Sequence, residues 1–227
     1  MATAERPQVR VHVYSDVACP WCWVGWNRLT QAMEHLSEAA TFDVRWHAFL
    51  LDPQFAEGGK WDGAFFADWR WRSNTAGAHE LIALADRRGA SHAASGLLFR
   101  KNYEEGKNLC REGLLSAARE LGLPAEEVEA WLGSPEAAAA VRSDDQEVKR
   151  HIHSVPTFLI SCGASKVVQL VGAESVKAFE VAFRKVMHEM GGVPAAAPSV
   201  ALPNESAKHQ HAAYGERPSA AKAAAEE

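Results

Sequence analysis

Val9, Val11 and Val13 alternate with Arg10, His12 and Tyr14, the period-two pattern of a strand. Helical spacing takes over soon after, with Trp26, Leu29, Met33 and Leu36 on one face of a helix that runs to about Ser37. Phe42, Val44, Trp46 and Ala48 then alternate again. Strand, helix and strand in that order make a βαβ unit. The helix returns the chain to the starting edge, so the two strands pair in parallel through a right-handed crossover. The opening commits the chain to an α/β architecture.

After Pro53 the pattern changes. Helices are predicted over 78–88, 97–105, 112–121 and 124–132, the first three closed by Gly89, Gly106 and Gly122. Ser134-Pro135 is an N-cap and first-turn pair that opens a fifth helix reaching about Val148. Strand signals return at Thr157-Phe158-Leu159-Ile160, directly after Pro156, and at Lys166 to Val171, with Gly163 placed for a hairpin. Val176, Phe179, Phe183, Val186 and Met190 share one face of a closing helix that Gly191-Gly192 ends. The order β-α-β, helices, β-β-α is a thioredoxin-like α/β fold split by a helical insertion domain. Residues 9–55 and 151–190 form the thioredoxin-like part and 56–150 the insertion. Residues 191–227, rich in Ala, Pro and Ser, have too few large apolar groups to offset their ordering entropy and are expected to be a disordered tail.

A net charge of -5 gives no electrostatic case for nucleic acid or an anionic membrane as partner. Met1 to Val9 lacks the apolar core of a secretory signal, and no apolar run reaches membrane-spanning length. Those features read as a protein of a reducing, cytoplasmic compartment, where four cysteines do not imply a structural disulfide framework. Trp61, Trp69 and Trp71 crowd one stretch, as a partner surface or as core.

The chemistry centres on Cys19-Pro20-Trp21-Cys22. Two intervening residues put both sulfurs on one face of a first helical turn, where they can close a disulfide. The same spacing supplies half of a zinc site, but Cys110 and Cys162 are single and distant, so no metal is expected. Cys19 falls where the first strand hands over to the first helix, and the free N–H groups there favour a thiolate. Cys19 is therefore the expected exposed nucleophile, and Cys22, one turn in, the sheltered resolving cysteine. Pro20 suits a first turn. Trp21 brings an apolar face and no positive charge, so Cys19 is expected to be less acidic than with a histidine between the cysteines. In a thioredoxin-type fold a proline placed like Pro156 is cis and lies against the cysteine pair, and the Val155 backbone beside it can pair with a substrate.

Ser15-Asp16-Val17-Ala18-Cys19-Pro20-Trp21-Cys22, with Gly25 after it, resembles the DsbA-like thioredoxin family and its FrnE-like branch. Phe49-Leu50-Leu51-Asp52-Pro53, Asn74-Thr75 with Ala78-His79, Leu98-Phe99 with Glu105-Gly106, Val155-Pro156-Thr157-Phe158 and Leu170-Val171-Gly172-Ala173 continue the series over about residues 9–190. The resemblance implies disulfide oxidoreductase activity at Cys19 and Cys22, toward protein disulfides or thiols. Pro20, Trp21, Val155, Pro156 and Asn74 would bind substrate. Two departures stand out: a short, tryptophan-rich segment between Pro53 and Asn74, and no cysteine after Cys162 to form a second pair.

Relatives of this architecture include 2-hydroxychromene-2-carboxylate isomerases and kappa-class glutathione transferases, which carry serine for the first cysteine and use glutathione. A glutathione-dependent isomerase or transferase is thus the alternative reading. No bound cofactor is expected, and glutathione is compatible as a co-substrate. A homodimer is compatible with the sequence, which fixes no oligomeric state. Asp16 reads as a turn or cap residue ahead of a proton acceptor. His79 reads either as lining the site or as a half-buried helix residue. Cys110 and Cys162 read as small buried apolar groups, and Asp144 and Asp145 as a solvated helix face.

Overall fold

A computed structural model describes residues 6–55, 60–66 and 69–190. Strand β1 (Gln8–Ser15) buries Val9, Val11 and Val13 completely, as its alternation requires. Helix α1 (Pro20–His35) returns the chain to β2 (Thr41–Ala48), which lies parallel to β1 with Val11 opposite Val44 and Ser15 opposite Ala48. Strand β5 (Thr157–Cys162) flanks β1 antiparallel on its other edge, with Val13 opposite Phe158, and β6 (Val168–Val171) completes the sheet in the order β2-β1-β5-β6. Gly163, at φ 55°, makes the turn between the last two strands.

An antiparallel pair, β3 (Lys60–Phe66) and β4 (Trp69–Arg72), forms a separate two-stranded sheet. The sequence reading assigned no element there and placed the segment within the helical insertion. Trp69 and Trp71 alternating with Arg70 and Arg72 carry the strand pattern, but four residues are too few to stand out against a high aromatic density. Side chains in this hairpin, and the tail 191–227, lie outside the described residues.

The insertion contains α2 (Ala76–Asp86), α3 (Ser91–Tyr103), α4 (Arg111–Glu120), α5 (Ala125–Trp131) and α6 (Pro135–Val148). Helix α4 closes in a Schellman motif: the Leu123 N–H donates to the Ala118 carbonyl and the Gly122 N–H to that of Arg119, with Gly122 at φ 69°. Ser134 caps α6 by accepting from the Ala137 N–H at 3.1 Å. Helix α3 begins six residues before the predicted start, because His92, Ala93, Ser95 and Gly96 give little apolar periodicity. Packing explains Gly96: a Cβ there would lie 2.2 Å from Trp26 Cζ2.

Helix α7 (Val176–Met190) packs on α1 and β5 through the fully buried Phe179 and Phe183. Phe158 meets Phe179 edge-on at 4.8 Å, and each such ring contributes on the order of 1.5–3 kcal/mol by leaving water. Helices α2, α3 and α6 pack on β2. Asp144 and Asp145 correct the sequence reading. Asp145 is buried and accepts from the Leu50 N–H at 2.7 Å, and Asp144 accepts from that of Ala48 at 2.7 Å. The two acids tie α6 to the exit of β2 because backbone donors leaving a strand need acceptors. Cys110, at the N-cap of α4, is only partly buried, which corrects its reading as a core residue.

Candidate active site

The chain leaves β1 at Ser15 and turns within three residues into α1. Asp16 organises the turn: its Oδ1 accepts from the Ala18 N–H at 3.0 Å, and its carbonyl accepts from the Cys19 N–H at 3.0 Å. That geometry makes Cys19 the N-cap of α1, with extended backbone (φ -95°, ψ 113°), and Pro20 the first helical residue.

Cys19 is only 8% exposed, which corrects its expected openness, and Cys22 is fully buried. Both cysteines are free thiols. Their acidities are pushed apart. The Cys22 side chain, hydrogen-bonding to the Cys19 sulfur, holds the Cys19 thiol below the ordinary range, and the Cys22 and Trp21 N–H groups at the helix end add to this. Burial and the Asp16 carboxylate oppose the shift without reversing it. Burial pushes Cys22 well above the ordinary range, and the adjacent Cys19 sulfur pushes it further. The buried Ser15 side chain, hydrogen-bonding to Cys22, pulls the other way and favours its thiolate without reversing the shift.

Around the pair, Trp21 is 43% exposed beside the nearly closed Cys19. The Val155–Pro156 peptide bond is cis, and the Val155 carbonyl oxygen lies 4.0 Å from Cys19 Sγ. Gly25 permits this approach: a Cβ on it would stand 3.0 Å from Phe158 Cζ and 3.2 Å from Pro156 Cγ. The structure therefore brings together Cys19, Cys22, Pro20, Trp21, Val155 and Pro156. Asn74 is engaged elsewhere. Its Oδ1 accepts from the Ala76 N–H at 2.9 Å at the start of α2, and its Nδ2 donates to the Phe55 carbonyl.

Behind the cysteines the structure adds a pairing between residues 63 positions apart. His79, carried by α2, places Nε2 3.4 Å from Asp16 Oδ1, and both side chains are buried, at 4% and 0% exposure. The other Asp16 oxygen accepts from the Leu51 N–H at 2.7 Å. Burial alone would raise the Asp16 carboxyl. The hydrogen bond and charge of His79, with the Leu51 and Ala18 N–H groups, outweigh it and hold the acid below the usual carboxylate range. Asp16 is thus a turn residue and also a buried charge facing Cys19. No local pattern marks His79 for this contact. Among the described residues no group of three or more His, Cys, Asp and Glu side chains could hold a metal ion.

The family model described as the DSBA-like thioredoxin domain matches residues 10–184. No curated protein matches the chain. A probable DsbA oxidoreductase from Streptomyces coelicolor superposes with a TM-score of 0.68 at 25% identity, covering 86% of this chain and 97% of that one. The cytosolic disulfide reductase DsbM from Pseudomonas aeruginosa superposes at 0.57 with 20% identity, covering 81% and 98%, and that protein is also solved with GSH. A 2-hydroxychromene-2-carboxylate isomerase superposes at 0.61 with 14% identity, covering 82% and 100%. The last two likenesses are of fold.

Proposed function

The chain belongs to the DSBA-like thioredoxin domain family, and from that premise we propose that it is a thiol–disulfide oxidoreductase working through Cys19 and Cys22. The observation that carries the reading is the placement of two free thiols at the N-terminus of α1, Cys19 at its N-cap with the Val155 carbonyl 4.0 Å from its sulfur and Cys22 fully buried one turn in. Cys19, as thiolate, attacks one sulfur of a substrate disulfide; a mixed disulfide forms and the other substrate sulfur leaves as thiolate. Cys22 then loses its proton and attacks Cys19 Sγ, closing the Cys19–Cys22 disulfide and releasing the second substrate thiolate. The substrate gains two electrons and the protein loses two. Run backwards, the same steps oxidise a dithiol.

Trp21, Pro20 and the Val155–Pro156 backbone frame the space through which a sulfur reaches Cys19, so an extended peptide or glutathione is the proposed occupant. Asn74 acts indirectly, by fixing the start of the helix that carries His79. The proposed setting is the cytoplasm, the compartment in the name of the Pseudomonas neighbour; no helix among the described residues is long and apolar enough to cross a membrane.

Replacing Cys19 by serine is expected to abolish the protein's acceleration of insulin reduction by dithiothreitol. Full activity in that variant overturns the reading. Glutathione-dependent isomerisation surviving loss of both cysteines would favour the isomerase chemistry of the structural relative instead. The potential of the Cys19–Cys22 couple sets the direction: near roughly -270 mV it is a reductant, near roughly -120 mV an oxidant.

A further inference from the structure

Resolution of the mixed disulfide sets a proton problem. Cys22 must release a proton, yet Cys22 and Asp16 have no exposed surface, and a substrate on Cys19 covers the one side that is slightly open. Asp16 has a second side. His79 Nε2 faces its Oδ1, and the imidazole Nδ1 meets no protein partner among the described residues. The His79 ring also lines a cavity of about 230 Å³ bounded by β2, α2 and α6, large enough for several waters. His47 and Asp144 form the polar wall opposite, with Arg45 and Asp86 also on its lining. Asp144 Oδ1 accepts from His47 Nδ1 at 3.1 Å, so His47 Nε2 is left to accept from His12 Nδ1 at 2.9 Å. His12 is only partly buried. A file of proton-carrying groups thus runs from behind the cysteines, along the cavity lining, to the partly buried His12 on β1.

We propose that His79 is the proton relay of the redox cycle, exchanging protons between Asp16 and this cavity so that the Cys22 proton leaves by the rear of the site while substrate covers the front. The inference rests on the oxidoreductase reading. In the resolving step the Cys22 proton passes to the Asp16 carboxylate. A protonated His79 gives up its Nδ1 proton to cavity water, so the pair ends with as many protons as it began. The Cys22 thiolate attacks Cys19 Sγ and the substrate sulfur departs with the bonding electrons. His79 touches no reacting sulfur and acts only through Asp16. Its effect therefore falls on resolution and not on the first attack by Cys19.

Reaction of an aryl disulfide, 5,5′-dithiobis(2-nitrobenzoate), with the reduced protein, its partly buried Cys110 replaced by serine so that it adds no release of its own, separates the two events. One thionitrobenzoate leaves on attack by Cys19 and a second on attack by Cys22. His79→Gln is expected to slow the second release at least about tenfold, less than the roughly hundredfold low end of direct general acid–base catalysis because His79 acts through Asp16, to leave the first unchanged, and to remove a pH inflection from the second rate. Free imidazole is expected to restore that rate in His79→Ala by entering the vacated space. Ala83→Met, which extends into the cavity from α2 one helical turn beyond His79 and replaces neither Asp16 nor His79, is expected to slow the second release alone, and keeps the test decisive should the His79 variants fold poorly. An unchanged second phase in His79→Gln or Ala83→Met, equal slowing of both phases, or no response to imidazole overturns the relay. Absence of any two-step release from the Cys110→Ser protein overturns the oxidoreductase reading instead.

Discussion

Replacing His92 by glutamine is expected to flatten the acid side of the stability profile, and the size of the effect follows from where this ring sits. His92, near the start of α3, accepts a hydrogen bond from Trp46 Nε1 at Nδ1 (3.2 Å) and donates from Nε2 to Thr30 Oγ1 (3.0 Å), while Thr30 donates to the Trp26 carbonyl. The ring stacks on Trp26 at 5.0 Å. One neutral tautomer satisfies both bonds and ties the insertion to α1 and β2; protonating Nδ1 breaks the bond to Trp46. Burial accordingly holds the folded-state pKa at about 4, against 6.5 for a free histidine. Between those values the unfolded chain binds more protons, so stability rises with pH; it is fully present above 6.5 and is lost as pH falls toward 4. Integrated from about pH 7 to about pH 4.5, the loss is about 2 kcal/mol. Urea unfolding at a series of pH values measures it directly. The difference in unfolding free energy between those two pH values should be about 2 kcal/mol smaller in His92→Gln than in the unaltered protein. Equal slopes in the two proteins refute the argument, whatever the absolute stability of the variant.

Gly25→Ala pushes a methyl against the buried Phe158 ring at 3.0 Å, so a destabilisation of about 1–3 kcal/mol and slower disulfide exchange are expected; an unchanged thermal midpoint contradicts this. Asp16→Asn removes a carboxylate that raises the Cys19 thiol, so the pH midpoint of Cys19 alkylation by iodoacetamide should move down, and an upward move refutes the assignment. Asp145→Ala strips the acceptor from the buried Leu50 N–H and from Lys149 Nζ; a loss of about 1–3 kcal/mol in urea unfolding is expected, and a loss near zero counts against the anchor.

Much of this was legible from local pattern. Alternation at Val9, Val11 and Val13 and helical spacing at Trp26, Leu29 and Met33 report burial by the sheet and by α1, and such periodicities survive in one dimension. Gly122 and Ser134 mark helix ends because the backbone geometry there accepts few residue types. What local pattern could not supply is pairing across the chain. His79 finds Asp16, and Asp145 finds Leu50, 95 residues away, only once α2 and α6 have packed on β2. An acid on a helix looks the same in sequence whether it faces water or a strand exit. The need for glycine at position 96 likewise shows only once Trp26 is placed against it. The near-burial of Cys19 has the same origin, since Val155 reaches it from 136 residues away.

The division of labour between the two cysteines is tested most directly by trapping. Cys22→Ser, mixed with a disulfide-bonded peptide, should accumulate a mixed disulfide that mass spectrometry locates at Cys19. Cys19→Ser should accumulate little at Cys22, whose sulfur is fully buried and whose thiol is held protonated. Equal trapping in the two variants, or trapping at Cys22 alone, would contradict the account.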